Sequence, residues 1–135
     1  MPRVELTRAY HFSAGHRLST PALSPAQNAE LYGPCHRPHG HNYYVEVTLA
    51  GTPDPETGMA VDLGHVDDVV ARTVLDAVDH RTLEDAPLLD GVVTTGEGLA
   101  RAFWRALEPA LPAGALVGVV VQETQKNRFE YRRGA

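Results

Sequence analysis

The sequence is poor in the features that mark secreted and membrane-spanning proteins. It has one cysteine in 135 residues, so an intrachain disulfide is excluded and a reducing compartment is the simplest setting. Its longest strongly apolar run, residues 115–121, is far shorter than the roughly eighteen residues that a membrane-spanning helix requires. The first residues also have no apolar signal core. We therefore expect a cytoplasmic protein that does not bind membranes.

Basic residues are also few. Lys and Arg total 12 against 17 Asp and Glu, which gives a formal net charge of -5, and the basic residues form no long block. The composition gives no electrostatic reason to expect nucleic acid as a partner. With 43% hydrophobic and 21% charged residues, the chain fits one globular domain over residues 1–135 and has little room for a second.

Hydrophobic periodicity predicts the order of the secondary structure. Alternating apolar and polar residues indicate strands, which we place at residues 4–12, 41–50, 59–61, 116–123 and 128–132. Apolar residues at helical spacing begin at Leu63, with Asp62 as a candidate N-cap, and this helix should end near His80. A second helix is expected after Thr94, the predicted N-cap of a capping box that Glu97 closes.

The order of these elements indicates a fold class. Long strands followed by two consecutive helices favour an antiparallel sheet with both helices on one face, an α+β arrangement, over alternating βαβ units. Residues 17–38 are rich in proline and have no sustained period, so they predict a long loop. A loop of this length inside a compact domain is usually functional or disordered.

Histidine is abundant in this sequence, whereas cysteine occurs once. The chain has seven, and His39 and His41 flank Gly40 at the start of the most regular strand. Residues i and i+2 of a strand project from the same face, so both imidazoles can reach one ion. Three histidines with an open fourth position describe a catalytic zinc site. His16 is the best-placed third ligand, because two neighbouring antiparallel strands would bring their ends together.

Cys35, four residues before His39, leaves two interpretations of the zinc site open. The thiol can stay free as an acid–base group, or it can complete a structural Cys-His₃ site, which the spacing alone does not reject. The histidine pair can also be a hydrogen-bonded pair without metal. His11 and His36 are spare candidates for the metal, whereas His65 is more typical of a helix face.

Two further polar features stand out. Asp79 and His80 fall where the first helix should end, and a carboxylate can orient an imidazole that shuttles protons. A histidine that satisfies free carbonyls at a helix C-terminus would explain the same dipeptide without catalysis. Glu123 shares a face with Val119 and Val121, so it needs a cation or a set of N–H donors unless it turns to water at the strand end.

With these residues in view, the sequence resembles the 6-pyruvoyl-tetrahydropterin synthase and 6-carboxytetrahydropterin synthase family. The match runs in order over almost the whole chain, through residues 12–18, 35–43, 59–62, 75–80, 95–97 and 123–127. Each motif alone is weak, whereas their joint order and spacing are specific. The resemblance implies a tunnelling fold, in which an antiparallel sheet with two helices on one face assembles with copies of itself into a barrel.

The resemblance also implies roles for particular residues. Zinc would be bound by three histidines, which correspond to His16, His39 and His41. Protons would be transferred by a cysteine, an aspartate and a histidine, here Cys35, Asp79 and His80. The pterin would be anchored by a glutamate with help from a threonine, here Glu123 and Thr95. Because the family's sites lie between subunits, we expect a homo-oligomer, a trimer or hexamer, in which Cys35 and the Asp79–His80 pair come from different chains.

The implied function is that of a zinc-dependent lyase acting on 7,8-dihydroneopterin triphosphate. The three residues between Cys35 and His39 resemble the 6-carboxytetrahydropterin synthases of the queuosine pathway, whose reaction gives 6-carboxy-5,6,7,8-tetrahydropterin, acetaldehyde and triphosphate. Residues 123–127 look more like the pyruvoyl branch, and Gly98 stands where an asparagine is common, so 6-pyruvoyl-tetrahydropterin is the alternative product. A non-catalytic zinc or pterin-binding module is the alternative of another class. The candidate cations for the triphosphate are Arg17, Lys126 and Arg128.

Overall fold

A five-stranded sheet organises the chain in the computed structural model, which describes residues 3–134. Its strands are β1 (Val4–His16), β2 (His39–Gly51), β3 (Arg81–Thr82), β4 (Leu116–Thr124) and β5 (Asn127–Arg132). Their spatial order is β3-β1-β2-β4-β5. All neighbours are antiparallel except β3, which pairs in parallel with β1. The sheet is therefore antiparallel with one short parallel edge strand.

The helices are α1 (Pro25–Tyr32), α2 (Leu63–Val70), α3 (Asp76–Val78) and α4 (Gly96–Leu107). A π-helical segment, Ala71–Leu75, joins α2 to α3, so the predicted first helix is one rod with a wide turn in its middle. Asp62 caps this rod as predicted, because its side chain accepts a hydrogen bond from the N–H of His65. No helix among residues 3–134 has both the length and the apolar character needed to cross a membrane.

The hydrophobic core lies between one face of the sheet and the long helices. Alternate residues of three strands are buried there, namely Phe12, Ala14, Tyr43, Val45, Val47, Leu49, Val119 and Val121. The helices cover them with Val66, Val69, Val70, Val74, Val78, Leu99, Phe103 and Leu107. Each fully buried side chain of this kind stabilises the fold by about 1.5–3 kcal/mol. The predicted α+β arrangement, with these helices on one face of the sheet, is confirmed.

The predicted loop over residues 17–38 is partly wrong, because α1 forms inside it. Ser24 and Gln27 make a reciprocal capping box, and Pro25 occupies the first turn. Only Asn28 of α1 is buried, and its amide group bonds to the backbone of Thr20 and to two further carbonyls. The helix is thus held by its cap and one buried amide, and it shows no apolar stripe that periodicity could detect.

Two smaller predictions are corrected, and one short strand was not predicted. Residues 59–61 form no strand, since Met59 accepts from the N–H of Asp54 within a tight turn and its side chain is exposed. The N-cap of α4 is Thr95, whose side chain accepts from the N–H of Gly98, so Thr94 and Glu97 do not form a capping box. The two-residue β3 had no periodic signal, because a strand this short has none.

Gly98, the residue that departs from the family pattern, has a packing reason. A side chain at this position would place its Cβ 2.1 Å from the carbonyl oxygen of Val93. Only glycine fits such a close backbone approach.

Candidate metal centre

The three predicted zinc ligands lie side by side at one end of the sheet. His16 ends β1 and pairs with His39 at the start of β2, while His41 stands opposite Ala14. Both strands are longer than predicted, and the added residues carry His16 and His39 onto the ladder. Same-face geometry within β2 and cross-strand pairing with β1 therefore bring three imidazoles to one point.

The distances within this cluster are short. The ring centres lie 4.5 Å apart for His16 and His39, 5.1 Å for His16 and His41, and 4.8 Å for His39 and His41. One ligand atom from each ring lies within 4.8 Å of the other two. The three rings thus surround a single point, as ligands of one ion must.

Hydrogen bonds set which nitrogen of each ring is free. Nδ1 of His16 lies 3.0 Å from the carbonyl oxygen of Thr94, and Nδ1 of His39 lies 2.7 Å from that of Arg37. A carbonyl oxygen can only accept, so both rings carry a proton on Nδ1, which leaves Nε2 as the nitrogen that can bind an ion. Metal-binding histidines characteristically donate their other ring N–H in this way.

Burial favours the neutral form of His16 and His41. His16 is 2% exposed, and burial lowers its pKa to about 4, with smaller contributions from His39 and His41. Burial also lowers the pKa of His41. Nε2 of His16 and of His41 are buried without a hydrogen-bond partner, although such an atom is costly to leave unpaired. Neutral imidazoles with unpaired nitrogens are the donor set that zinc takes, so these residues fit the ion.

The other candidates for the metal lie elsewhere. Among residues 3–134, the His16, His39 and His41 group is the one with metal-binding geometry, and Cys35 is not part of it. This arrangement gives no support to the structural Cys-His₃ interpretation. His11 is exposed on the opposite face of the sheet, His36 pairs with Arg17, and His65 is exposed in the first turn of α2.

Glu123 lies next to the cluster, near the end of β4 and on the same face as Val121. Its Oε1 is 3.3 Å from Nε2 of His41, though no hydrogen bond joins them, and its side chain is 15% exposed. The β4–β5 ladder is irregular between Gln122 and Thr124, and such bulges re-aim side chains beside active sites. The Glu123 carboxylate therefore lies beside the point on which the three imidazoles converge.

Asp79 and His80 form a pair at the end of the helical rod. Oδ1 of Asp79 lies 2.9 Å from Nδ1 of His80 and also accepts from the N–H of Ser13, which holds the pKa of Asp79 below its usual range. His80 has a φ of 59°, a left-handed conformation that costs a non-glycine residue about 1–3 kcal/mol. Its side chain is 82% exposed, so Asp79 orients an imidazole that faces outward.

Cys35 and Thr95 are placed by short backbone structures. Cys35 lies exposed in the 3₁₀ turn Gly33–His36, and its carbonyl accepts from the N–H of Leu18. The Thr95 oxygen caps α4, which leaves its hydroxyl hydrogen available to a ligand. Of the candidate cations, Arg128 pairs with Glu46 at 2.8 Å.

Sequence reasoning missed three residues around the cluster. The carbonyl oxygen of Thr94 accepts a hydrogen bond from Nδ1 of His16, and the carboxylate of Glu84 accepts one from the hydroxyl of Thr94. Tyr43 is fully buried with its hydroxyl unpaired, and its ring lies 5.4 Å from that of His41. Tyr43 could have been noted from its parity with His39 and His41, whereas nothing in the sequence connects Glu84 to the cluster.

Comparison with known proteins gives a consistent result. The family model for 6-pyruvoyl tetrahydropterin synthase matches residues 5–134. A 6-pyruvoyl tetrahydrobiopterin synthase from Poecilia reticulata is 42% identical over 130 residues, covering 94% of this chain and 88% of the relative. A 6-carboxy-5,6,7,8-tetrahydropterin synthase from Aquifex aeolicus is 27% identical over 158 residues, covering 95% and 97%.

A solved structure supports the same relationship. The 6-pyruvoyl tetrahydropterin synthase of Caenorhabditis elegans superposes with a TM-score of 0.92 at 38% identity, covering 98% of this chain and 96% of its own. Agreement of fold and sequence extends over nearly the full length of both chains.

Proposed function

The chain belongs to the 6-pyruvoyl tetrahydropterin synthase family, and on that premise we propose that it is a zinc-dependent lyase that releases triphosphate from 7,8-dihydroneopterin triphosphate. The observation that carries the proposal is the convergence of three imidazoles beside the Glu123 carboxylate. A metal site without a neighbouring carboxylate would bind an ion, whereas this combination can also bind and orient a heterocycle.

His16, His39 and His41 would hold the zinc ion. Zinc bound there supplies Lewis acidity, which lowers the pKa of oxygen atoms such as the side-chain hydroxyls of the substrate. The two Nδ1–H···O=C bonds of His16 and His39 keep these rings oriented before substrate arrives. The chain thus prepares the site in advance, which reduces the cost of organising it during catalysis.

Glu123 is the proposed anchor for the pterin ring. A pterin presents a 2-amino group and a ring N–H side by side, and an ionised carboxylate accepts both. The half-buried position of Glu123 strengthens such charged hydrogen bonds relative to those made in water. Thr95, at the N-terminus of α4, is proposed to donate its free hydroxyl hydrogen to the same ligand.

Cys35, Asp79 and His80 are proposed to move the protons. Cys35, as thiolate, would remove a proton from the carbon side chain of the substrate, and His80 would exchange a proton through Nε2. Asp79 holds the other nitrogen of His80, so it fixes the tautomer. The pterin ring is reduced as its side chain is oxidised, so the conversion needs no external redox cofactor.

A homo-oligomer is part of the proposal. Cys35 and His80 are both exposed in the single chain, which suits groups that meet a site formed with another subunit. We propose a trimer or hexamer assembled into a barrel, in which these two residues reach each site from different chains.

The proposed product is 6-pyruvoyl-tetrahydropterin. Identity favours it, since the Poecilia reticulata pyruvoyl synthase is 42% identical and the Aquifex aeolicus carboxy synthase 27% identical. The second candidate is 6-carboxy-5,6,7,8-tetrahydropterin, which the spacing of three residues between Cys35 and His39 favours. The queuosine-pathway assignment therefore stays a prediction.

One incubation separates these reactions. Zinc-loaded protein is mixed with 7,8-dihydroneopterin triphosphate, and triphosphate and acetaldehyde are both quantified. The pyruvoyl reaction gives triphosphate alone, and the carboxy reaction gives both. Zinc-loaded protein that releases neither is a binding module and contradicts the proposed lyase. The zinc-free His39→Ala variant is the control for spontaneous breakdown of the substrate.

A further inference from the structure

Glu84 connects two segments that meet at His16. Its Oε1 accepts from the backbone N–H of Arg17 at 2.7 Å and from the hydroxyl of Thr94 at 3.2 Å. Arg17 directly follows His16 in the chain, whereas Thr94 lies just before α4. One carboxylate oxygen therefore joins the end of β1 to the segment that precedes α4.

Thr94 carries this connection to the metal ligand. It is 2% exposed, and its carbonyl oxygen and hydroxyl lie 3.0 and 3.2 Å from Nδ1 of His16. Because the hydroxyl donates its hydrogen to Glu84, its lone pairs face the ring N–H of His16. A displacement of Thr94 would remove both acceptors of Nδ1 at once.

Long-range contacts fix the orientation of the His16 ring, whereas the His39 ring is held locally. His39 bonds to Arg37, only two residues away, so local chain geometry fixes that ring. His16 bonds to a residue that is 78 positions away in sequence. Tertiary contacts must hold that partner in place, and Glu84 supplies one from the 3₁₀ turn Leu83–Asp85.

We propose that Glu84 is a positioning residue for the metal centre, whose carboxylate ties Arg17 to Thr94 and so fixes the His16 ring with Nε2 directed at the ion. The role rests on the zinc site of the proposed function. It assigns Glu84 no contact with substrate. Groups bonded directly to a ligating histidine, as Thr94 is to His16, typically contribute about 10–100-fold to metal affinity, and Glu84 acts one contact further out.

The test measures zinc affinity by competition with a chelator of known affinity, on the full-length chain. Glu84→Ala should weaken zinc binding by up to about tenfold, the lower end of the range for direct partners of a ligand. Glu84→Gln keeps an oxygen that accepts both hydrogen bonds, so it should recover most of the affinity. Asp85→Ala is the matched control, because it removes a neighbouring exposed carboxylate and should bind zinc as the parent does.

Thr94→Val removes the hydroxyl while keeping the shape and the carbonyl, so it breaks the hydrogen bond between Thr94 and Glu84 from the other side. This variant tests the proposal if Glu84→Ala does not fold. It should also weaken zinc binding. In the cobalt-substituted protein, both variants should change the visible absorption bands of the ion, whereas Asp85→Ala should not.

Parent-like zinc affinity in both Glu84→Ala and Thr94→Val would overturn the proposal. So would a lower melting temperature of the metal-free variants with unchanged affinity in their folded state, since that result marks a purely structural role. If the parent binds zinc but releases no triphosphate, the lyase proposal fails, while these affinities still decide the role of Glu84. A parent chain that binds no zinc would overturn both.

Discussion

The histidine cluster and the residues proposed to transfer protons are built in opposite ways. His16, His39 and His41 lie on two paired strands, mostly buried, with their ring nitrogens already converging. Cys35 and His80 are exposed, one in a 3₁₀ turn and the other at the end of a helical rod. A single chain thus assembles the proposed metal site completely and presents the proposed proton-transfer groups outward.

This difference indicates how assembly would control the chemistry. A metal site within one chain can fill before subunits associate, because its ligands need no partner. Proton transfer would begin only when subunits bring Cys35 and His80 to one site.

The largest expected effect is on the metal itself. His39→Ala removes one of three ligands, so bound zinc should fall to a small fraction of one ion per chain and activity should fall to background. The fold should persist, because the core beneath the cluster is apolar and independent of the ion. Elemental analysis and circular dichroism check both points. Full zinc occupancy in this variant would exclude His39 as a ligand.

The next effect separates catalysis from metal binding. Cys35→Ala should keep its zinc and lose turnover by about 10²–10⁴-fold, the range for removing a general base. A base must stay free to take a proton, whereas a ligand is held by the metal, so zinc content distinguishes the two roles. Parallel loss of zinc and activity would make Cys35 a ligand.

A smaller effect concerns the two ends of the substrate. Glu123→Gln should weaken binding of neopterin and of its triphosphate alike, by about 1–3 kcal/mol. Arg17→Ala should weaken only the triphosphate, and added salt should reproduce part of that loss. Dissociation constants for both ligands measure the contrast. Selective loss of the phosphorylated ligand in Glu123→Gln would refute its role as pterin anchor.

The last effect concerns stability and leaves binding and turnover aside: it is the pH dependence of the free energy of unfolding of the metal-free protein. The pKa of His16 is about 4 in the fold and near 6.5 when unfolded, so the unfolded chain binds more protons between these values. The free energy of unfolding should therefore fall as pH decreases from about 6.5 to 4, by at most about 1.4 kcal/mol per pH unit for this group. Urea titrations of the parent and His16→Gln should show a shallower pH dependence in the variant.

Hydrophobic periodicity was sufficient to predict the main strands and helices, but not the structure of the segments that connect them. The four long strands and the two main helices follow from alternation and helical spacing, and His16 beside His39 follows from antiparallel pairing. The capped helix α1 has no apolar stripe, although Ser24 and Gln27 did give a local signal of its start.

The surroundings of the metal ligands could not be predicted in the same way. Thr94 bonds to His16 across 78 positions, and Glu84 bonds to the backbone N–H of Arg17 across 67 positions. Such contacts depend on how separate elements pack, and no local pattern encodes them. The N-cap of α4 was also predicted one residue too early, at Thr94 instead of Thr95, because adjacent threonines offer the helix two possible caps.

The central claim is that one chain holds the ion while two chains supply the proton-transfer groups, and subunit mixing tests it most directly. Cys35→Ala and His80→Ala are each expected to be inactive alone. When the two variants are co-expressed in equal amounts, random assembly should restore about a quarter of parental activity, because a quarter of shared sites receive both intact residues. Mixed assemblies as inactive as either variant alone would contradict the account and place both groups in one chain.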